Sequence, residues 1–479
     1  MSESRPPGRT PRQARQAPRR SSPPPAQRRG RPNPDLPRRV AFDLLRAVDE
    51  RDAYANLTLP ALLRSYHLAG RDAAFATELS YGTLRGRGTY DAALAACVDR
   101  PLQQVDPPVL DVLRLGAHQL LAMRVPSHAA VAATVELARA VVGEGRASFV
   151  NAILRRCAGR DLAGWLAEVA PDRATDPVGH LAVAHSHPRW VVSALRDALV
   201  GDLAQTEALL AADNRPAAVT LVARPGRASV AELVAAGARP GRWSPYAAVL
   251  DGGDPAALPA VREGRAGVQD EGSQLVALAL AAAPLDGRDE LWLDMCAGPG
   301  GKAALLAALA RERGGRLVAA EVAPHRAALV RHAVGRDAWV VVSDACTPAW
   351  PDRAFDRVLV DAPCTGLGAL RRRPEARWRR RPEDVPGLAA LQRSLLASAL
   401  DAVRPGGVVA YVTCSPHLAE TRTVVNDVLR ELAGAVRMDA RPLLPTAMSD
   451  LGDGPDVQLW PHVHGTDAMY LSLVRRGGQ

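Results

Sequence analysis

A chain of 479 residues and 50.8 kDa, 47% apolar, is long enough for two to four domains with their own cores. No apolar run nears the roughly 18–20 residues that span a bilayer, the start MSESRPPGRT lacks the apolar stretch of a secretory signal, and six cysteines without a CxxC pair suit neither a disulfide framework nor a zinc ribbon. A membrane, secreted or metal-stapled protein is therefore not expected, and a cytoplasmic monomer with free thiols is.

The net charge of +9 is uneven. Residues 1–39 hold eleven Arg against Glu3 and Asp35, which accounts for the whole excess. With ten prolines and almost no large apolar residue before Val40, residues 1–38 predict a disordered basic tail. Such a tail is either a phosphate-seeking arm or a solvated segment without a partner.

Residues 39–165 carry helical periodicity. VAFDLLRAVDE sets Val40, Phe42, Leu44, Leu45 and Val48 on one face. Pro107 and Pro108 open a second helix with Leu110, Leu113, Leu120 and Leu121. Ser127 is placed to cap a third, and ASFVNAILRRC makes a further short one. Strand runs are absent, so an all-α bundle is expected. Residues 166–265 are mixed: Asn214–Gly226 alternates like a strand and RASVAELVAAG reads as a helix, which suggests a small α/β connector. Over 266–479, strand candidates at 290–297, 316–322, 339–345, 357–363 and 407–415 alternate with helical stretches, and AMYLSLVRR ends the series. That alternation predicts a Rossmann-like, mostly parallel α/β sheet with its ligands at the carboxyl ends of the strands.

The motifs fall at those ends. Cys296-Ala297-Gly298-Pro299-Gly300-Gly301-Lys302 follows the first strand and contains the single lysine among 60 basic residues. Its glycines let backbone approach a ligand, and the next helix offers free N–H groups. A Walker P-loop fails, because Ala303 stands where Ser or Thr is required. A dinucleotide fingerprint fits formally as Gly298-x-Gly300-x-x-Ala303 with Glu321 downstream, which would suit a nucleotide-dependent oxidoreductase. The third reading is S-adenosylmethionine, with Glu321 on the ribose hydroxyls and Asp344 on the adenine amino group. Asp361-Ala362-Pro363-Cys364 ends the fourth strand and Thr413-Cys414-Ser415 the fifth, so two thiols can face one pocket.

A thiol is what methylation at carbon 5 of a pyrimidine requires. Thiolate attack on carbon 6 makes carbon 5 nucleophilic, and loss of the carbon-5 proton later expels the sulfur. A free thiol is only a few per cent ionised at neutral pH, so such a site must lower its pKa. Asp361 can bind cytosine N3 and the amino group as charge develops on the ring.

Asp72–Gly82, Leu113–Leu121 and Val131–Arg155 resemble the NusB-type RNA-binding helical domain. Val268–Gln274, Cys296–Lys302, Asp361–Gly368 and Thr413–Ser415 resemble the NOL/NOP/Sun family of RNA cytosine-C5 methyltransferases, and the combination resembles the bacterial enzymes acting on small-subunit (16S) ribosomal RNA. The resemblance implies Cys414 as nucleophile, Cys364 as the thiol that assists release, Asp361 beside them, and S-adenosylmethionine held by Cys296–Lys302, Glu321, Asp344 and Asp361. The chain departs from the family pattern at Gly298, where Ala is common and a looser loop follows, and at Glu321, one methylene longer than the commoner Asp. Leu370–Asp384 packs seven Arg around Trp378, so Arg371, Arg372, Arg373, Arg377 and Trp378 are candidate RNA contacts, as are Asn214 and Arg215. The rival is a non-catalytic RNA-binding, antitermination-type protein with an inactive methyltransferase domain.

Overall fold

A computed structural model describes Met1, residues 35–432 and residues 434–477. The basic tail expected over 1–38 lies outside the described residues except at Met1 and 35–38. Those last four residues belong to the bundle. Asp35 caps the helix Leu36–Arg51, its carboxylate accepting from the Arg38 amide at 3.0 Å, and Arg38 Nε donates to Gln119 Oε1 at 2.8 Å.

Helices Leu36–Arg51, Ala55–Ser65, Gly70–Cys97, Pro107–Leu121, Ser127–Val141 and Glu144–Cys157 bury one common core that includes Val40, Leu44, Leu79, Leu113 and Leu154. Pro107 opens its helix, where a missing N–H costs nothing. Ser127 does not cap: Pro126 holds the cap position, and Ser127 is the first helical residue.

Four short helices, Leu162–Val169, Pro177–Ala184, Arg189–Ala198 and Leu203–Asp213, lead into a small antiparallel sheet. Its strands are β1 (Val219–Ala223), β2 (Arg239–Pro240), β3 (Ala247–Leu250) and β4 (Ala266–Val268), in the order β2-β3-β1-β4. β4 lies beyond the expected boundary at 265/266. β1 does not alternate between core and solvent. Leu221 and Ala223 face a small core with Leu233 and Ala260, whereas Val222 enters the main core with Leu275 and Leu280, so both faces are covered.

The main sheet comprises β5 (Leu291–Asp294), β6 (Arg316–Glu321), β7 (Ala338–Val342), β8 (Phe355–Asp361), β9 (Val403–Thr413), β10 (Ala435–Met438), β11 (Val457–Gln458) and β12 (Tyr470–Arg476). The order is β10-β12-β9-β8-β5-β6-β7, with β11 paired to β12. β5 through β9 run parallel, and β12 returns antiparallel to β9. Helices Glu271–Ala282, Gly301–Glu312 and Pro324–Val334 cover one face, and Asp384–Ala402 and Arg422–Glu431 the other. The sheet grows from β5 toward β7 on one side and through β8 to β9 on the other. The strand order therefore reverses between β5 and β8, and a crevice opens there. Among the described residues no helix is long and apolar enough to cross a membrane.

Candidate active site at the carboxyl ends of the strands

The loop after β5 continues the sheet ladder before it turns. Met295 donates to the Leu359 carbonyl and Ala297 to the Ala320 carbonyl, each at 2.9 Å. Gly300 then adopts φ +114° as the cap of Gly301–Glu312, where a Cβ would lie 2.6 Å from the Ala333 side chain. Gly298 is pinned rather than loose. Its amide donates to Glu321 Oε2 at 3.1 Å, and its carbonyl accepts from Arg326 at 2.9 Å. Glu321, buried at the end of β6, also accepts from the Ala323 amide at 3.0 Å. Asp344 sits in the turn after β7 and accepts from the Cys346 amide at 2.9 Å.

One cavity of about 590 Å³ is lined by Cys296, Gly298, Glu321, Asp344, Asp361, Cys364 and Cys414 together. It unites the two sets of motifs read from the sequence. Ala297, Pro299, Gly300, Gly301 and Lys302 shape the loop behind it.

β8 and β9 are parallel neighbours with Asp361 opposite Val412, so the segments leaving their ends run side by side. This brings Cys364 Sγ and Cys414 Sγ to 3.5 Å. The hydrogen bond from Cys364 holds the Cys414 thiol below its ordinary pKa against burial and the charge of Asp361, with Lys302 and Arg373 assisting. The same bond, with burial, holds Cys364 well above the thiol range. The contact thus separates the two thiols, Cys414 being the more readily ionised and Cys364 the less.

Lys302 serves this side of the cavity. Its Nζ donates to Asp361 Oδ2 at 2.8 Å. Burial alone would neutralise the ammonium, but the Asp361 carboxylate outweighs burial and keeps it charged. Asp294, which ends β5, is pushed up to about 8 by burial and by the negative charge of Asp361, so it carries a proton near neutral pH.

Glu420, in the turn after β9, carries no motif in the sequence. It is fully buried and ties the two thiol loops together. Its carboxylate accepts from the Thr365 amide at 2.8 Å, from the Thr365 hydroxyl, from Ser415 Oγ at 2.7 Å and from Gln392 Nε2 at 3.2 Å. Thr365 follows Cys364 and Ser415 follows Cys414, so one carboxylate fixes the neighbours of both thiols.

Residues 279–475 match the family model described as 16S rRNA methyltransferase RsmB/F, and residues 35–159 match the NusB family. A Mycobacterium tuberculosis protein, Rv1407, whose name says only methyltransferase, is 55% identical over 444 residues, covering 92% of this chain and 97% of its own. The ribosomal RNA small subunit methyltransferase B of Xanthomonas campestris is 36% identical over 424 residues, covering 84% and 89%. The chain belongs to the RsmB/F family of 16S rRNA methyltransferases. The crystal structure of PH0851 shares the fold, with TM-score 0.76 at 21% identity over 92% of this chain and 99% of that one.

Within this RsmB/F chain the arginine-rich segment is not the open phosphate-binding loop that its composition suggests. Arg377 is fully buried and donates to the carbonyls of Arg85 and Ser186 at 3.1 Å and of Asp213 at 2.9 Å, and to Asn214 Oδ1 at 2.8 Å. It joins the bundle, the connector and the catalytic domain, and it takes Asn214 with it. Arg371 and Arg372 are paired with Asp270 and Asp467. Trp378 packs on the helix Gly70–Cys97, so closely that a Cβ on Gly88 would meet its ring at 2.6 Å. Partners far along the chain thus engage Arg371, Arg372, Arg377 and Asn214, and Trp378 is held by packing, its indole N–H without an acceptor among the described residues. Arg373 and Arg215 remain exposed, and Arg373 lines the cavity with Arg379 and Arg380.

Proposed function

We propose that this RsmB/F methyltransferase transfers a methyl group from S-adenosylmethionine to carbon 5 of a cytosine in 16S ribosomal RNA, acting in the cytoplasm on the RNA or on a small-subunit assembly intermediate. The observation that carries the reading is the thiol pair at 3.5 Å, in which Cys414 is the more readily ionised partner.

The residues around the loop fit the donor. The Gly298 backbone and the buried Glu321 carboxylate form a cradle too narrow for a Cβ, and Glu321 keeps lone pairs beyond those used by Gly298 and Ala323. Cys296–Lys302, Glu321 and Asp344 would hold S-adenosylmethionine, which supplies an electrophilic methyl group when bound.

The chain's own groups do the rest. The Cys414 thiolate forms a bond from Sγ to carbon 6, and the ring electrons move toward N3 and carbon 5. Asp361, oriented by Lys302, hydrogen-bonds the N3 and amino edge where charge develops, which requires one proton shared between carboxyl and ring. Carbon 5 takes the methyl group. The carbon-5 proton passes to solvent water, the C–H electrons restore the ring double bond, and the sulfur–carbon bond breaks with its pair returning to Cys414 Sγ. Cys364, whose Sγ lies 3.5 Å from Cys414 Sγ, donates its S–H to the departing thiolate.

The non-catalytic, antitermination-type alternative predicts RNA binding without transfer. Incubating stripped 16S rRNA with labelled donor, followed by bisulfite mapping, tests the reading: one protected cytosine is expected, and label on another base or on no base would overturn it.

A further inference from the structure

Tyr54 belongs to the helical bundle, yet it lines the same cavity as Cys364 and Cys414. It precedes the helix Ala55–Ser65, and the backbone on both sides of it is fastened to the catalytic domain. The Ala53 carbonyl accepts from Arg379, and the Ala55 amide donates to Glu375 Oε1 at 3.1 Å. Glu375 is itself buried. The anchors are interior, but the residue between them is 48% exposed. The guanidinium carbons of Arg373 and Arg379 lie over its ring, 5.2 and 5.3 Å from the centroid.

An aromatic ring usually fixes its position by burying its faces, and a tyrosine also finds a partner for its hydroxyl. Here the backbone holds the position and the ring stays partly open toward a cavity. A half-exposed ring with two guanidinium groups over it suits an anionic chain with π-faces, and single-stranded nucleic acid is such a ligand. Geometry narrows this further. A base reaches Cys414 only after leaving its stack, which strips a stacking partner from its neighbour.

We propose that Tyr54 is the stacking platform for the nucleotide next to the target base, with Arg373, Arg379 and Arg380 receiving the adjacent phosphates. The helical domain then supplies a wall of the active site. This rests on the reading of an RNA base as substrate.

The test uses the full chain and hairpin RNAs whose loops carry one cytosine with 2-aminopurine on its 5′ or 3′ side. Wild type and Tyr54→Phe should quench one of the two probes on binding, because both keep a ring. Tyr54→Leu keeps apolar volume without a π-face. It should lose the quench and bind the RNA roughly five- to a hundredfold more weakly, with S-adenosylmethionine affinity and thermal melting unchanged. A Tyr54→Leu protein that binds and quenches like wild type overturns the proposal, and so does a Tyr54→Phe protein as weak as Tyr54→Leu. A drop in melting temperature matched by a loss of donor binding would make Tyr54 a packing residue, which also overturns it. Binding and quenching need no methyl transfer. A wild type that quenches but methylates no cytosine would sink the proposed reaction alone, and one that methylates without quenching would sink the platform alone.

Discussion

The Glu321 carboxylate fills the space that a Cβ on Gly298 would need: such an atom would lie 2.2 Å from Oε2. The Gly298 amide uses that proximity to donate to the same oxygen at 3.1 Å. Gly298 and Glu321, the two positions where the resemblance leads one to expect alanine and aspartate, fit one another sterically. A methyl group is removed from the loop and a methylene is added to the acid.

Gly298→Ala should displace the carboxylate and weaken S-adenosylmethionine binding roughly ten- to a hundredfold, the scale of one charge-assisted hydrogen bond of about 1.5–3 kcal/mol. Gly298→Ala combined with Glu321→Asp should recover most of that loss in a calorimetric titration. If the double variant binds no better than Gly298→Ala, the two positions are not coupled.

Lys302→Met should shift the pH dependence of methylation. The Cys414 thiol is held below its ordinary value in part by the Lys302 charge, and the thiolate is the form that attacks. Removing a nearby cation raises that pKa, so the acid limb of kcat/KM should move to higher pH and activity should partly return under alkaline conditions. Lys302→Arg should move the limb less. A limb that stays in place in Lys302→Met would remove the ammonium from the account.

The motifs were legible because each lies where a parallel strand ends, and hydrophobic runs mark strand ends even when exact limits slip. Cys296, Gly298, Glu321, Asp344, Asp361, Cys364 and Cys414 line one cavity. Partners distant in sequence were not legible. The arginines of 371–377 read as an open basic loop because Asp270, Asp467 and the carbonyls of Arg85 and Asp213 lie more than 90 residues away. Glu420 carries no local pattern, and Tyr54 gains its meaning only from the packing of one domain on another. Lys302 was placed with the cofactor loop, although its long side chain crosses to Asp361.

Glu420→Ala should lower kcat at least tenfold while leaving S-adenosylmethionine affinity within about twofold. The substitution leaves the buried Thr365 amide without its acceptor, at about 1–3 kcal/mol, and leaves the Thr365 and Ser415 hydroxyls only each other to donate to. The thiols should then drift apart while the donor cradle is untouched. Glu420→Gln, which keeps an acceptor, should fall between. Equal losses in kcat and donor binding would instead mark a general loss of structure.

Arg377→Met should reduce thermal stability markedly, since four hydrogen bonds across three segments disappear. It should leave the salt dependence of RNA binding unchanged in the protein that folds. Arg380→Ala should do the reverse, with stability unaltered and the slope of log K against log salt reduced by about one. A flattened slope in Arg377→Met would return that residue to the RNA surface.

The asymmetry between the two thiols is tested most directly by trapping. Cys364→Ala, incubated with donor and 16S rRNA, should accumulate a protein–RNA adduct that survives denaturing electrophoresis. The attack still occurs, but release is slowed. Cys414→Ala should form no adduct and transfer no methyl group while binding S-adenosylmethionine normally, and the double variant should also form none. An adduct in Cys414→Ala, or full activity in both single variants, would contradict the assignment of the nucleophile to Cys414.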